Sequence, residues 1–464
     1  MIRKNGSRVL CKNQNKYDKK TTLAKGLHGR IQAFVESFSS CFKLINSRSQ
    51  EVCSDYLFGL YVSDKRNCDK ISKKVERHSQ SLNHFISESP WDWTLVGVRL
   101  SRLFIKMLPA SWLPDLSLSI DESGIPKKGD HSVGVTHQYC GQLGKQANCQ
   151  VGVYAALVCR GFYCLINALL YLPKEWCGRR DVDVPVERRT QKTKIELAYD
   201  MILHARDILK VPFKWVNFDS FYGRDQGLLC QLHQQQITFV ADVPKDATVY
   251  LKRPTVFIPE KKTAKGRSYT RHQVKGKAVE VQSIKRKLSD GDFKKLTVRT
   301  TKEGQAVRAL FYFQTVFMVI KEQATVMEVK LIIRKDEDGK THYILCNDLK
   351  ASKHRLAFMH SQRYFIERSF QESKQQLGLH QYQVRGYAGW HRHMFVCMMG
   401  LLFIQLEKME YLKIGCVPST PQLAELIKTI LPQKIRTTID VLNEFKQIKI
   451  PKNKYCASIK KSVT

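Results

Sequence analysis

Two periodicities divide the chain. From Gly29 to Leu108 apolar residues recur at three-and-four spacing: in "IQAFVESFSSCF" they are Ile31, Phe34, Val35, Phe38 and Phe42, and "WDWTLVGVRLSRLFIKML" repeats the pattern. Such spacing puts apolar side chains on one helix face, so a helical segment is expected over 29–110. From "PDLSLSID" the period becomes two. Leu116, Leu118 and Ile120 alternate with Asp115, Ser117 and Ser119, which predicts a strand that stops at Asp121 before the Gly/Pro turn "ESGIPKKG". Two apolar runs follow, "CQVGVYAALVC" and "FYCLINALLYLP", and the Arg160-Gly161 pair between them suits a tight hairpin, giving three consecutive antiparallel strands. "TKIELAYDMILHARDIL" carries a helical stripe at Ile195, Ala198, Ile202, Ala205 and Leu209. "FKWVNFD" reads as a short strand ending at Asp219, "YGRDQGLLCQLHQQQ" opens a helix, and "ITFVADV" is the next strand. The order over 111–244 is β-β-β-α-β-α-β.

Over 245–350 the pattern is strongly basic and then alternating, with "AVRALFYFQTVFMVI" and a hairpin in "EVKLIIRKDEDGKTHYILCND" turning at Asp338-Gly339, so a basic β-rich insertion is expected. Helical spacing resumes over 351–410, and 411–464 reads as a helical region with a basic tail. The first residues, 1–28, are basic and lack apolar periodicity, as in a mobile arm that a partner orders.

One helix has an unusual face. Counted from Arg363 at 100° per residue, Glu367 falls at about 40° and Lys374 at about 20°, while Phe370, Leu377 and Ile366 fall at about 340°, 320° and 300°. Arg, Glu and Lys thus form a stripe against the apolar seam, where an ordinary surface helix keeps its charges opposite.

Composition narrows the partners. The 464 residues include 77 Lys or Arg against 42 Asp or Glu, a formal charge of +35, while a hydrophobic content of 43% is enough for a folded chain of more than one domain. This excess repels itself unless a polyanion offsets it, and double-stranded DNA is the expected partner. An acidic membrane surface is the competitor. The chain has neither an apolar run of about 18 residues nor a basic-then-apolar signal segment, so a soluble, unexported protein with no membrane partner is expected. The 14 cysteines form no C-x-x-C pair, and the spacing of His131, His137, Cys140 and Cys149 matches no common zinc pattern, so reduced cysteines packed as small hydrophobes are expected.

The candidate chemistry lies in carboxylates. Asp121 and Asp219 each stand where a strand is expected to give way to a turn. Either alone reads first as a turn former or cap. Glu367, held beside a packed seam, is a third acid that can point over a sheet edge, and three converging carboxylates suit hard divalent cations. Glu122 is expected on the opposite side of the strand from Asp121. Lys127 and Lys128, in the following turn, are candidate phosphate contacts whose plainer reading is solvation. Phe311, Tyr312 and Phe313 read as packing in a β run, and "GWHRH" (389–393) as packing or a basic contact, because histidines at i,i+2 do not meet on a helix.

In this element order, Asp121, Asp219 and Glu367 resemble the catalytic acids of DDE-type transposases of bacterial insertion sequences. The likeness is greatest to the cut-and-paste group with a β-strand insertion before the last Glu and a Tyr-x2-Arg-x3-Glu-x6-Lys signature. Here the signature reads His360-x2-Arg363-x3-Glu367-x6-Lys374, with His360 where that group prefers Tyr. "HFISESPWDW", "IDESGIPKKGDHSVGVTHQYCGQLGKQANCQVGV", "FDSFYGRDQG" and "ERSFQESKQQLGLHQYQVRGYAGWHRH" resemble further motif blocks, from Gly29 to Leu402 in all.

The resemblance implies an α/β fold: a ribonuclease-H-like catalytic core, a mixed sheet flanked by helices, with a β-rich insertion and an N-terminal helical DNA-binding domain. It implies DNA cleavage and strand transfer by two Mg²⁺ ions, with Mn²⁺ able to substitute, Asp121 bridging both ions and Asp219 and Glu367 each holding one. Arg363, Lys374 and His360 are then DNA contacts. The implied partners are double-stranded DNA, as element ends and target, and a second copy in a homodimeric DNA complex; the implied place is the bacterial cytoplasm, at the nucleoid. Two alternatives stay open: a catalytically decayed or domesticated DNA-binding derivative, and a nuclease on the same fold.

Overall fold

The computed structural model describes residues 19, 21–42, 48–260, 269–300 and 306–431. Most of the expected basic arm and all of the tail beyond 431 lie outside them. Helices α1 (Leu27–Glu36), α2 (Arg48–Val62), α3 (Ser79–Ser87) and α4 (Trp93–Met107) form where three-and-four spacing places them. Asp92 caps α4, its carboxylate accepting from the Thr94 amide at 2.7 Å.

The strands β1 (Ser117–Pro126), β2 (Thr136–Cys140), β3 (Lys145–Cys159) and β4 (Phe162–Leu170) follow. β1 pairs antiparallel with β3, and β3 with β4. Arg160 and Gly161 join β3 to β4 at φ 48° and 88°, the positive values that a tight hairpin needs to match the strand twist. β1 corrects one expectation: it does not stop at Asp121 but runs to Pro126, because residues 122–126 keep their partners on β3, from Glu122 opposite Val153 to Pro126 opposite Cys149. The turn begins after Pro126, and the unforeseen β2 pairs with the start of β3.

Helix α5 (Lys194–Leu203) opens with a Thr193/Glu196 capping box. Next come β5 (Trp215–Phe218), α6 (Ser220–Gly223), α7 (Gln226–Gln234) and β6 (Phe239–Val243). β5 lies parallel to β1, and β6 parallel to β5. The spatial order β4-β3-β1-β5-β6 is a mixed sheet flanked by helices, the ribonuclease-H-like core.

The insertion contributes β7 (Thr248–Tyr250), β8 (Thr255–Phe257), β9 (Gln273–Lys275), β10 (Ala278–Glu280), β11 (Lys294–Thr300), β12 (Ala306–Ile320), β13 (Thr325–Lys335) and β14 (Thr341–Cys346). β8 and β9 pair with each other, but the other strands are not a separate layer. β14 pairs with β6, so core and insertion share one sheet of twelve strands among the described residues.

The chain then returns through α8 (Lys353–Ser361), α9 (Tyr364–Leu377), α10 (Tyr387–Lys413) and α11 (Thr420–Ile430). α10 is buried on nearly every side, against β4 and the N-terminal helices. Phe34 of α1 lies 5.3 Å from Phe403, ring to ring, and Arg30 holds Glu407 through two hydrogen bonds of 2.8 and 2.7 Å. The N-terminal helices and the sheet therefore share one apolar core. Among the described residues no helix is long and apolar enough to cross a membrane.

α6 sits directly on β6, because Gly223 has no side chain: a Cβ there would lie 1.9 Å from the Asp242 carbonyl oxygen. Gly223→Ala is expected to lift α6 off the strand and to destabilise by about 1–3 kcal/mol or more. Thermal unfolding should show a midpoint several degrees lower; an unchanged midpoint would mean that α6 is not seated this way.

Candidate active site

The parallel registers build the site. The last β1–β5 pair is Ser119 with Asn217, and the last β5–β6 pair is Phe218 with Ala241. Counted on in the same register, Asp121 falls beside Asp219, and Asp219 beside Asp242. Three aspartates thus form a row across three adjacent strands, where the parallel ladder lets go and side chains can reach a ligand.

Asp219 is both of the things its sequence position allows. It caps α6, its Oδ1 accepting from the amides of Phe221 at 3.0 Å and Tyr222 at 3.3 Å, and it stands next to Asp121. Asp121 Oδ1 accepts from the Glu122 amide at 2.7 Å. Both carboxyls keep some solvent access, yet the surrounding protein withdraws water and raises their pKa values. The charge of Asp219 pushes Asp121 up further, and Arg363 opposes the rise in each.

Asp242 was not singled out from the sequence, although "ITFVADV" also carries an aspartate next to its end. It is 7% exposed. Burial works against its charge, but His360, Arg363 and His342 more than offset this and bring its pKa down to about 2. His360, expected among the DNA contacts, is 4% exposed and directs Nε2 at Asp242 Oδ1, 2.8 Å away. Its Nδ1 faces the Arg334 guanidinium at 3.4 Å, so the network assigns the proton to Nε2. Arg334 belongs to β13, which brings the insertion into contact with the core.

Arg363 lies at the turn between α8 and α9. Its Nε is 3.1 Å from Asp242 Oδ2, and one terminal nitrogen is 2.8 Å from Glu367 Oε1. Burial disfavours its charge, but Asp242, Glu367, Asp121 and Asp219 together raise its pKa. One guanidinium therefore answers four carboxylates.

α9 docks as its pattern indicates, with Ile366, Phe370 and Leu377 buried and the Phe370 ring 5.1 Å from that of Tyr154 on β3. This sets Glu367 beside Arg363 with half of its side chain exposed. Lys374 is partly buried and donates to Gln142 Oε1 at 3.4 Å. Lys127 packs its ammonium 3.4 Å over the Tyr382 ring, and burial brings its pKa down to about 8; Lys128 is exposed. Glu122 turns to α5, where it pairs with Lys194 at 2.7 Å. Buried Glu372, also missed in the sequence, accepts from Arg368 at 2.8 Å and from the Tyr163 hydroxyl.

Most of the remaining candidates are packing groups. His391 and His393 are buried within α10 with pKa values brought down to about 3 by burial, and Phe311 is buried beside Phe313. His131 and His137 are exposed while Cys140 and Cys149 are buried.

The donor set fits divalent cations in part. Asp121 and Asp219 are neighbouring hard oxygen donors whose ionised forms are penalised by burial, and Asp219 adds to the penalty on Asp121, a strain that a cation would relieve. Glu367 is turned to Arg363, and among the described residues no three His, Cys, Asp or Glu side chains stand close enough to hold one ion together. The arrangement is a two-aspartate platform with its third acid held by Arg363.

A sequence profile described as DDE superfamily endonuclease matches residues 37–305, a stretch that includes Asp121 and Asp219 and stops before Glu367. A probable transposase for insertion sequence element IS701 from Microchaete diplosiphon is 30% identical over 198 residues, which is 41% of this chain and 48% of that protein. The chain thus spans about half the length of the relative it matches.

Asp242 is expected to be the structural keystone of the row. Its folded pKa of about 2 lies below the ordinary carboxylate value, so the stability it adds is complete above about pH 4 and is lost as pH falls through about 2. At neutral pH Asp242→Asn should cost on the order of 2 kcal/mol or more, because it also leaves Arg363 and His360 without their buried acceptor. In urea unfolding the gap between parent and variant should narrow between pH 4 and 2.5; a gap independent of pH would remove the role given to this charge.

Proposed function

The chain belongs to the DDE superfamily endonucleases, and from that membership we propose that it is the transposase of an insertion sequence, cutting and joining DNA at the terminal inverted repeats of its own element. The observation that carries this reading is the register that sets Asp121 beside Asp219, with Glu367 delivered by the charged edge of α9 and joined to them through Arg363.

Asp121, Asp219 and Glu367 would hold divalent ions, Mg²⁺ by preference with Mn²⁺ able to substitute; family members use such ions. When bound, these ions polarise the scissile phosphate and lower the pKa of an attacking water or DNA 3′-hydroxyl. The protein's own groups do the rest. Asp121 and Asp219 supply negative oxygens from rigid strand backbone. Glu367 would part from Arg363 to join them, and the guanidinium, anchored on Asp242, would then be free to hold a phosphate oxygen. Lys374, Lys127 and Lys128 are assigned to backbone phosphates, whose neutralisation makes binding strongly dependent on salt. A homodimer would place two such sites on the two ends of one element.

The test is a reaction of the full chain with linear DNA ending in the inverted repeats that flank its gene, in Mg²⁺. Cleavage at the ends and transfer of the free 3′ ends into a second DNA are expected. Asp121→Asn, Asp219→Asn and Glu367→Gln should each lower cleavage by about a hundredfold or more and change end binding little. Full activity in any one of them removes that residue from the site, and cutting that ignores the end sequence would mark a general nuclease.

A further inference from the structure

The hairpin of β2 and β3 has features that neither the core nor the row of acids requires. β2 is the outermost strand at its end of the sheet. The six residues from Gly141 to Gln146 are all exposed, yet the turn is well defined, because the Cys140 carbonyl accepts from the amides of both Leu143 and Gly144 at 2.9 Å. Gly144 takes φ +64°, and a side chain on Gly141 or Gly144 would meet nothing within 4 Å, so the tip is slim as well as firm.

Its place is fixed on two sides. Cys140 is fully buried, and a Cβ on Gly124 would meet its Sγ at 3.1 Å, so the hairpin rests on β1 three residues beyond Asp121. Gln142 accepts from Lys374 on α9, whose ammonium is within electrostatic reach of both Cys140 and Asp121. The tip therefore lies against the strand that carries Asp121 and the helix that carries Glu367.

What it presents outward is apolar. Cys140 turns inward, so Tyr139 beside it points out, 53% exposed, and Leu143 at the crest is 45% exposed. Two other exposed aromatics border the acids, Phe221 and Tyr364, and each is braced by a cation: Lys194 lies 4.9 Å from the Phe221 ring and Arg299 4.2 Å from the Tyr364 ring. Among the described residues Tyr139 has no such partner for its ring or its hydroxyl. Lys145 stands opposite Cys140 across the hairpin, Lys374 reaches Gln142 of the same tip, and the exposed Lys128 follows the end of β1 by two residues. An unpartnered exposed ring on a hairpin that carries one lysine and meets another has the composition of a single-strand binding surface, in which a base stacks on the ring and lysines follow the phosphates.

We propose that this tip is a wedge for DNA: Leu143 enters the duplex beside the scissile phosphate, and Tyr139 stacks on the base that is displaced. The geometry of the acids calls for such a device. Asp121 is only partly exposed, on a strand that packs against α9, whereas phosphates of an intact duplex lie on the outside of a stiff rod, and a locally opened strand reaches a partly covered carboxylate more readily. The proposal rests on the reading of the chain as an enzyme that cuts DNA at element ends.

The test compares the intact chain with the Tyr139→Ala/Leu143→Ala double variant and with Tyr139→Phe on two substrates: fully paired ends, and ends with two or three mismatched pairs at the cut position. On paired DNA the double variant should cleave about tenfold or more slowly, and Tyr139→Phe, which keeps the ring, should cleave like the parent. Mismatched ends should restore the double variant to within a few-fold of the parent; they should not restore Asp121→Asn. A double variant that matches the parent on paired DNA, or one that mismatches do not rescue, overturns the wedge, and a change in its oligomeric state by light scattering would assign the tip to a second copy instead. A separate arm needs no cutting. With 2-aminopurine at the cut position of paired ends, binding of the intact chain should raise the fluorescence and binding of the double variant should not. If the intact chain binds and cuts neither substrate, the transposase reading has failed, and this fluorescence still decides for or against the wedge.

Discussion

One guanidinium facing four carboxylates is the constraint on which the site depends. Asp121, Asp219 and Asp242 lie in register on adjacent strands, and Glu367 approaches from α9, so their charges would drive the strand ends apart without a cation between them. Arg363 supplies it from the turn between α8 and α9. That turn must therefore be held rigidly, and it is: α8 brings His360 to Asp242, while α9 is fastened by Ile366, Phe370 and Leu377. The charged stripe beside an apolar seam, odd for a surface helix, follows from this need. The seam fixes the helix on the sheet, and its neighbouring edge is the part that can reach the acids.

Much of this was legible in the sequence, and the misses have physical causes. The period of two found β1, and the three-and-four spacing found α1, α4 and α9 with their buried faces. Asp121 and Asp219 were found as polar residues ending apolar runs. Gly124 and Pro126 made β1 seem to end early, since both are turn formers by local preference. Pairing with β3 overrides that preference, and Pro126 is tolerated as the last residue of its strand. β2 was too short and too polar to signal. Asp242 had the same local signal as Asp219, but only the register reveals that it completes the row. His360 was placed at the DNA by its position in a signature, whereas its hydrogen bonds hold it inward, a tertiary fact that no local pattern carries.

The same logic explains why a charge-rich chain of this length joins its N-terminal helices and its sheet in one large core, beside a smaller cluster around Trp215, Phe311 and Met359. α10 is buried on nearly every side and serves as a shared floor for the sheet, for α2 to α4 and for α11. Paired polar contacts cross it, among them Arg30 with Glu407 and the His393 ring with the Tyr56 hydroxyl at 2.8 Å. The positive excess is left for the surface, where a polyanion can neutralise it.

The pairing of β14 with β6 also governs when the site can come into being. During synthesis β6 leaves the ribosome as an unprotected edge, with Asp242 on it and with no outer neighbour until roughly a hundred further residues have been made, a closure whose entropic cost falls on the nascent chain. Arg363 and Glu367 follow later still. A chain interrupted within the insertion therefore carries the three aspartates of the row, an open sheet edge and no counter-ion for them, so a prematurely ended copy is a candidate for aggregation rather than a stray nuclease.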